Sequence, residues 1–219
     1  MRSIYLLSGS YTKREFPDDI INKLKEEVRN DFTFCFVAAN FKEIEKNKER
    51  CQKILDMFSE KNVKFSTAFI VDDSVSKVEA KKYITESNVV FLMGGDALMQ
   101  IKCIKENELI ESMQSSNAIF IGMSAGSINM AKNVVLTKDV EDDIPETTCY
   151  EGIGLTNINV EPHCDFENIE HWNDLLDASK LSEIICMEDN CSILVRDGKK
   201  EFYGNYCVIK DGKIIINNR

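Results

Sequence analysis

The chain has 219 residues, 43% hydrophobic and 29% charged, enough for one sizeable core and short for two, so it is read as a single globular domain over residues 1–219. Its formal net charge of -10 disfavours nucleic acid and anionic membrane surfaces, both of which need clustered Lys and Arg. No apolar run approaches the roughly 18 residues that span a bilayer, and no secretory segment is expected, which points to a cytoplasmic protein whose eight scattered cysteines are reduced.

In chain order, the apolar residues 4–7 predict a first buried strand ending at Ser8-Gly9-Ser10, and Pro17 predicts the start of a helix with Ile20, Ile21, Leu24 and Val28 on its inner face. Residues 32–39 form a second, nearly all-apolar strand, as expected when both faces are covered. A long charged helix follows with Ile44, Cys51, Ile54, Leu55 and Phe58 on one stripe. Residues 65–71 read as a third strand, 75–86 as a helix, and 89–92 as a fourth strand running into Gly94-Gly95-Asp96 and a helix from Ala97. This alternation favours a mostly parallel sheet with helices on both faces, whose reactive groups gather at the strand C-termini.

The most informative segment comes next. Ala118-Ile119-Phe120-Ile121 leads into Gly122-Met123-Ser124-Ala125-Gly126 and then a stretch able to form a helix. A serine between a strand and a helix, with glycines relieving the crowding, is pushed clear of the sheet and stands as the candidate nucleophile. The plain alternative is a glycine-bounded turn whose serine caps a helix. Residues 138–151 are acid-rich and read as irregular, a candidate flap. Beyond them, 158–160 is strand-like, Trp172, Leu175 and Leu176 fit one more helix, and 184–186, 192–195, 202–203 and 214–216 read as strands. Asp197-Gly198 and Asp211-Gly212 mark hairpin turns between them.

A serine nucleophile needs a base and a group to orient it. Of the two histidines, His163 in Glu161-Pro162-His163 is the better base, because a proline-stiffened strand end holds the ring still; His171 lies in a helix on a face that looks polar. The orienting carboxylate has two sources, Asp143 in the acidic loop and Glu188 or Asp189 after the strand at 184–186. The amides of Ala125 and Gly95 are the candidate oxyanion donors, with Asp96 as a helix cap. No CxxC pair is present for zinc and no phosphate-loop fingerprint for a nucleotide, so neither metal nor cofactor is expected.

Taken together, Phe91-Leu92-Met93-Gly94-Gly95-Asp96, Ile121 to Gly126, Asp143-Ile144-Pro145, Pro162-His163 and Met187-Glu188-Asp189 resemble the ordered landmarks of peptidase family S51, the serine peptidases typified by dipeptidase E and cyanophycinase. The resemblance implies a flavodoxin-like sheet related to class I glutamine amidotransferases, and metal-free Ser-His-acid cleavage of short peptides, notably aspartyl dipeptides. It puts the nucleophile at Ser124, the base at His163, the oxyanion donors at Gly95 and Ala125, and the acid at Asp143, ranked first, or Asp189. A homodimer is compatible with this reading. The chain departs from the family pattern in three places: no Arg or Lys occurs in 165–178, Asp96 and Ala97 follow the double glycine, and Ser127 replaces the usual Ala. Two competing readings are a small-molecule binding or regulatory module with a residual triad, and an esterase sharing the serine turn; the latter fold normally places its histidine nearer the chain end.

Overall fold

The computed structural model describes residues 2–9, 16–139 and 144–218. Its first half alternates as expected: β1 (Ile4–Leu7), α1 (Asp18–Glu27), β2 (Thr33–Val37), α2 (Ile44–Glu60), β3 (Thr67–Val71), α3 (Lys77–Glu86), β4 (Val89–Leu92), α4 (Ala97–Glu106), α5 (Ile110–Ser115) and β5 (Ile119–Met123). After Ser124 come α6 (Ala125–Asn129), β6 (Asn133–Leu136), β7 (Thr148–Glu151), β8 (Asn159–Glu161) and α7 (Ile169–Ala178). The chain closes with β9 (Ile184–Met187), β10 (Ser192–Arg196), β11 (Lys199–Tyr203), β12 (Tyr206–Lys210) and β13 (Lys213–Asn218).

The main sheet has the order β11-β10-β1-β5-β4-β2-β3. The five strands from β1 to β3 run parallel, while β10 and β11 are antiparallel additions at one edge. Every residue of β4 is fully buried, and because alternate side chains point to opposite faces, both faces of the sheet centre must be covered. A knot of aromatic rings fills one part of that core, with Phe16 stacked on Phe58 at 4.4 Å and Phe34, Phe65 and Phe91 packed around them. The edge strand β3 leaves Thr67 and Ala68 exposed.

A second sheet, β13-β12-β9-β8, carries α7, whose Leu175 and Ala178 share a smaller core with Ile184, Cys186, Cys207 and Ile209. Both C-terminal hairpins turn through consecutive positive φ values, at Asp197 (54°) and Gly198 (73°) and at Asp211 (50°) and Gly212 (73°), which is what the Asp-Gly pairs predict. None of the eight cysteines is in a disulfide, and seven of them are buried. Among the described residues no helix is long and apolar enough to cross a membrane.

One expectation changes. Within 138–151, read as irregular, Thr148–Glu151 is a strand, β7, paired antiparallel with β6, and Asp139 and Ile144 form a bridge. Two strands of four residues each span too little chain for an alternating pattern to stand out beside an acid-rich loop.

Candidate active site

The candidate nucleophile stands where β5 gives way to α6. Its amide still belongs to the sheet, donating to Leu7 O on β1 at 2.9 Å, while its carbonyl already accepts from Ser127 N–H (2.7 Å) and Ile128 N–H (3.1 Å). Between those two commitments the Ser124 backbone is forced to φ 49°, ψ -116°, a conformation that costs a non-glycine residue about 1–3 kcal/mol. The flanking glycines make the turn sterically feasible. A Cβ on Gly126 would sit 2.2 Å from Leu92 O of β4, and one on Gly122 would sit 2.7 Å from the Gly126 carbonyl.

Ser127, a departure from the family pattern near the pocket, is fully buried beneath it. Its hydroxyl accepts from Leu7 N–H (3.0 Å) and points at Leu7 O (2.9 Å) and Gly122 O (2.8 Å), lacing α6 to β1 and β5 directly under the nucleophile.

The candidate base is carried to the same edge from 39 residues further along the chain. His163 follows β8 and has φ 56°; its N–H donates to Ser8 Oγ (2.8 Å), which donates to Met187 O (3.2 Å), and Cys164 N–H donates to the same carbonyl (2.9 Å). Leu7 lies abreast of Met123 in the β1–β5 register, so Ser8 anchors His163 one strand away from Ser124. His163 Nδ1 lies 2.6 Å from Asp189 Oδ1. An ionised carboxylate can only accept, so this contact keeps the ring proton on Nδ1 and leaves Nε2 as the basic nitrogen. Behind the ring, a Cβ on Gly9 would meet His163 Cε1 at 2.7 Å, so only glycine lets the ring lie there.

Of the described carboxylates proposed as orienting acid, Glu188 and Asp189, it is Asp189 that contacts the ring. Glu188 is held elsewhere, accepting from Asn205 Nδ2 at 2.9 Å, and Asp143 lies outside the described residues.

Ser124, His163, Gly95 and Ala125 line one cavity of about 600 Å³. Gly95, at φ 141°, and Ala125, in the first turn of α6, have no hydrogen-bond partner for their N–H groups among the described residues. A largely buried network ties the end of β4 and α4, on either side of Gly95, to α6, which begins at Ala125. Gln100 Nε2 donates to Met93 O (2.7 Å) beside the double glycine, Asn129 Nδ2 donates to Gln100 Oε1 (3.0 Å) and Ala97 O (2.9 Å), and Tyr150 O–H donates to Asn129 Oδ1 (2.8 Å). Burial, reinforced by the nearby Asp96 charge, pushes the Tyr150 phenol well above its ordinary pKa and keeps it protonated as the donor. Asp96 caps α4 by accepting from Met99 N–H at 2.9 Å, as expected.

Sequence reasoning misses Ser8, Gly9, Gln100, Asn129 and Tyr150. The readable signal is two amides, Gln100 and Asn129, amid buried positions of α4 and α6 that are apolar apart from Ser127. It also misplaces His171. The expected polar helix face is in fact cavity wall, with the His171 side chain only 12% exposed, Nε2 3.8 Å from Glu161 Oε1 and Nδ1 3.9 Å from Asp139 Oδ2. Among the described residues no cluster of three or more His, Cys, Asp or Glu is placed to hold a metal ion.

A family model described as peptidase family S51 matches residues 4–203. The fold is similar to the crystal structure of a peptidase from an acI-B1 Actinobacterium, at TM-score 0.68 and 15% identity over 96% of this chain and 91% of that one. It is likewise similar to a peptidase E candidate from Listeria monocytogenes EGD-e, at TM-score 0.65 and 16% identity over 93% of this chain and 98% of the other. No curated protein sequence matches the chain. At these identities the two structures speak to the fold, and their likeness is consistent with the flavodoxin-like arrangement of the central sheet.

Proposed function

The chain belongs to peptidase family S51, and from that footing we propose that it is a serine-type peptidase that hydrolyses short peptides, dipeptides foremost. Ser124 Oγ attacks the scissile carbonyl as His163 Nε2 takes its proton, and Asp189 holds the imidazole in the required tautomer and steadies the imidazolium. The oxyanion is received by the N–H groups of Gly95 and Ala125, which have no other partner among the described residues. His163 then returns the proton to the leaving amine. Water, deprotonated by the same ring, cleaves the acyl-enzyme and frees Ser124.

What carries the proposal is the 2.6 Å contact of His163 with Asp189 in a ring that shares its cavity with a serine in a strained strand-to-helix turn. A cavity of about 600 Å³ falls in the range of small-ligand sites, which favours short peptides over folded proteins. A fluorophosphonate probe tests this directly: it should modify Ser124 in the native protein and not in Ser124→Ala, and react far more slowly in His163→Ala. A folded wild-type protein that never reacts, or one indifferent to the loss of His163, refutes the mechanism.

A further inference from the structure

The loop that carries Gly95 runs from the end of β4 into α4, and buried amides grip it at both ends. At its start the Met93 carbonyl accepts from Gln100 Nε2 (2.7 Å), and at its close the Ala97 carbonyl accepts from Asn129 Nδ2 (2.9 Å). Gln100 and Asn129 are fully buried and meet each other, Asn129 Nδ2 also donating to Gln100 Oε1 at 3.0 Å. Gln100 Nε2 lies 3.5 Å from Ala38 O as well, at the end of β2. Once the Tyr150 hydroxyl donates to Asn129 Oδ1 at 2.8 Å, every nitrogen and oxygen of the two side-chain amides has a partner.

This network has one sense. Turning the Asn129 amide over would set its oxygen against the Ala97 and Gln100 oxygens, acceptor facing acceptor, and Tyr150 on β7 is the donor that holds it the right way round. Gly95 also abuts β2, since a Cβ added there would stand 2.9 Å from Ala39 Cβ, so the loop is confined on that side too. Asn129 ends the five-residue helix that Ala125 begins, so the amide that grips the Gly95 loop belongs to the same short helix as the other oxyanion donor. Resting on the peptidase reading above, we infer that Tyr150 is a positioning residue: acting through Asn129 and Gln100, its hydroxyl holds the Gly95 N–H at the spacing from the Ala125 N–H that a single oxyanion requires. Its effect falls on the transition state, because the oxyanion exists there and not in the bound substrate.

The test compares Tyr150→Phe, which deletes one oxygen and keeps the ring, with Gly198→Ala, which strains a turn at φ 73° where a new Cβ meets nothing within 4 Å. Two quantities are read: kcat and KM on dipeptides with Ala, Lys or Asp as acyl residue, and inhibition by the amino aldehydes and amino alcohols of the same three side chains. Ser124 Oγ adds to the aldehyde carbon, the C=O electron pair becomes the oxyanion and the hydroxyl proton passes to His163, whereas the alcohol has no carbonyl and forms no oxyanion. Tyr150→Phe should lower kcat by about 10- to 100-fold with KM within about twofold, since a misplacement near 1 Å costs about 100-fold and outright loss of a donor about 10²–10³-fold. The preference for aldehyde over alcohol should shrink by the same factor, and a ratio taken within one variant cancels any loss of active protein. Gly198→Ala should leave that ratio unchanged. Should Tyr150→Phe fail to fold, Gln100→Met, of similar length and without the amide, is measured in the same way. A folded variant whose ratio matches the wild type overturns the inference, as does a loss shared equally by aldehyde and alcohol, the mark of a merely structural role. If wild-type Ser124 labels with fluorophosphonate, that failure belongs to the positioning alone. If Ser124 does not label and nothing is cleaved, the peptidase reading fails and the positioning role falls with it.

Discussion

Replacing Gly9 with alanine tests whether the position of the His163 ring controls catalysis. The new methyl would lie 2.7 Å from Cε1 and 3.2 Å from Nε2, where ordinary contact begins at 3.4 Å. The ring cannot simply yield, since Nδ1 is held at 2.6 Å by Asp189. Nor can Gly9 retreat alone, because its carbonyl accepts from Asn190 N–H at 3.0 Å, next to that same aspartate. Relief requires a displacement of about 0.7 Å (3.4 less 2.7) shared by base and acid, and a misplacement on the order of 1 Å costs about 100-fold in rate. The φ of 130° adds backbone strain of about 1–3 kcal/mol.

Gly198→Ala separates the two effects. It sits at φ 73° in the β10–β11 turn with nothing within 4 Å of a new Cβ, so it carries backbone strain of about 1–2 kcal/mol without touching the ring. Thermal melts should show both variants destabilised by a few degrees, at about 2–4 °C per kcal/mol for a chain of this size. Fluorophosphonate labelling of Ser124 should slow by about 100-fold in Gly9→Ala alone. A folded Gly9→Ala protein that labels as fast as Gly198→Ala refutes the view that the ring must stay where it lies.

Further outcomes follow from other contacts. Asp189→Asn should leave the fold intact and reduce kcat by about 10³–10⁴-fold in steady-state hydrolysis, because an amide facing Nδ1 no longer enforces the tautomer that makes Nε2 basic. Ser127→Ala removes the partner of Leu7 N–H in a fully buried site and should lower stability by about 1–3 kcal/mol in urea unfolding. A thiol reagent should modify Cys149 rapidly in the native protein and the other seven cysteines only on unfolding. Burial pushes the Cys51 and Cys191 thiols up to about 12 from an ordinary value of 9.0. Both thiols are protonated in folded and unfolded chains below pH 9, so their contribution is complete there. Between about pH 9 and 12 only the unfolded chain releases the protons, and stability falls as pH rises. Urea unfolding at several alkaline pH values should show that decline, and it should be shallower in Cys51→Ala/Cys191→Ala.

The sequence is most legible where one physical demand dominates. Strands β1, β4 and β5 lie in the sheet interior and must be apolar on both faces, so Ile4–Leu7, Val89–Leu92 and the run into Ser124 are read almost residue for residue. The hairpin turns are equally plain, because Asp-Gly chemistry and positive φ go together. Legibility fails where tertiary contacts decide. His171 beside Glu170 and Trp172 has the look of a solvated helix face, and only the approach of Glu161 and Asp139 encloses it. Choosing between Glu188 and Asp189 depends on where Asn205 and the end of β9 lie, which no local pattern encodes. The Gln100–Asn129–Tyr150 network joins three stretches of chain, so each member looks like an isolated polar residue until the fold assembles them.

Strand β1 lies between β5 and β10, and Ser8 at its end anchors the histidine loop. On a ribosome adding about 5–20 residues per second, the interval between Leu7 and Ser192 is about 10–40 s, during which Ile4–Leu7 waits for its second neighbour. A nascent or prematurely terminated chain therefore carries a sticky, half-paired strand, and His163 and Asp189 reach the candidate centre only late in synthesis.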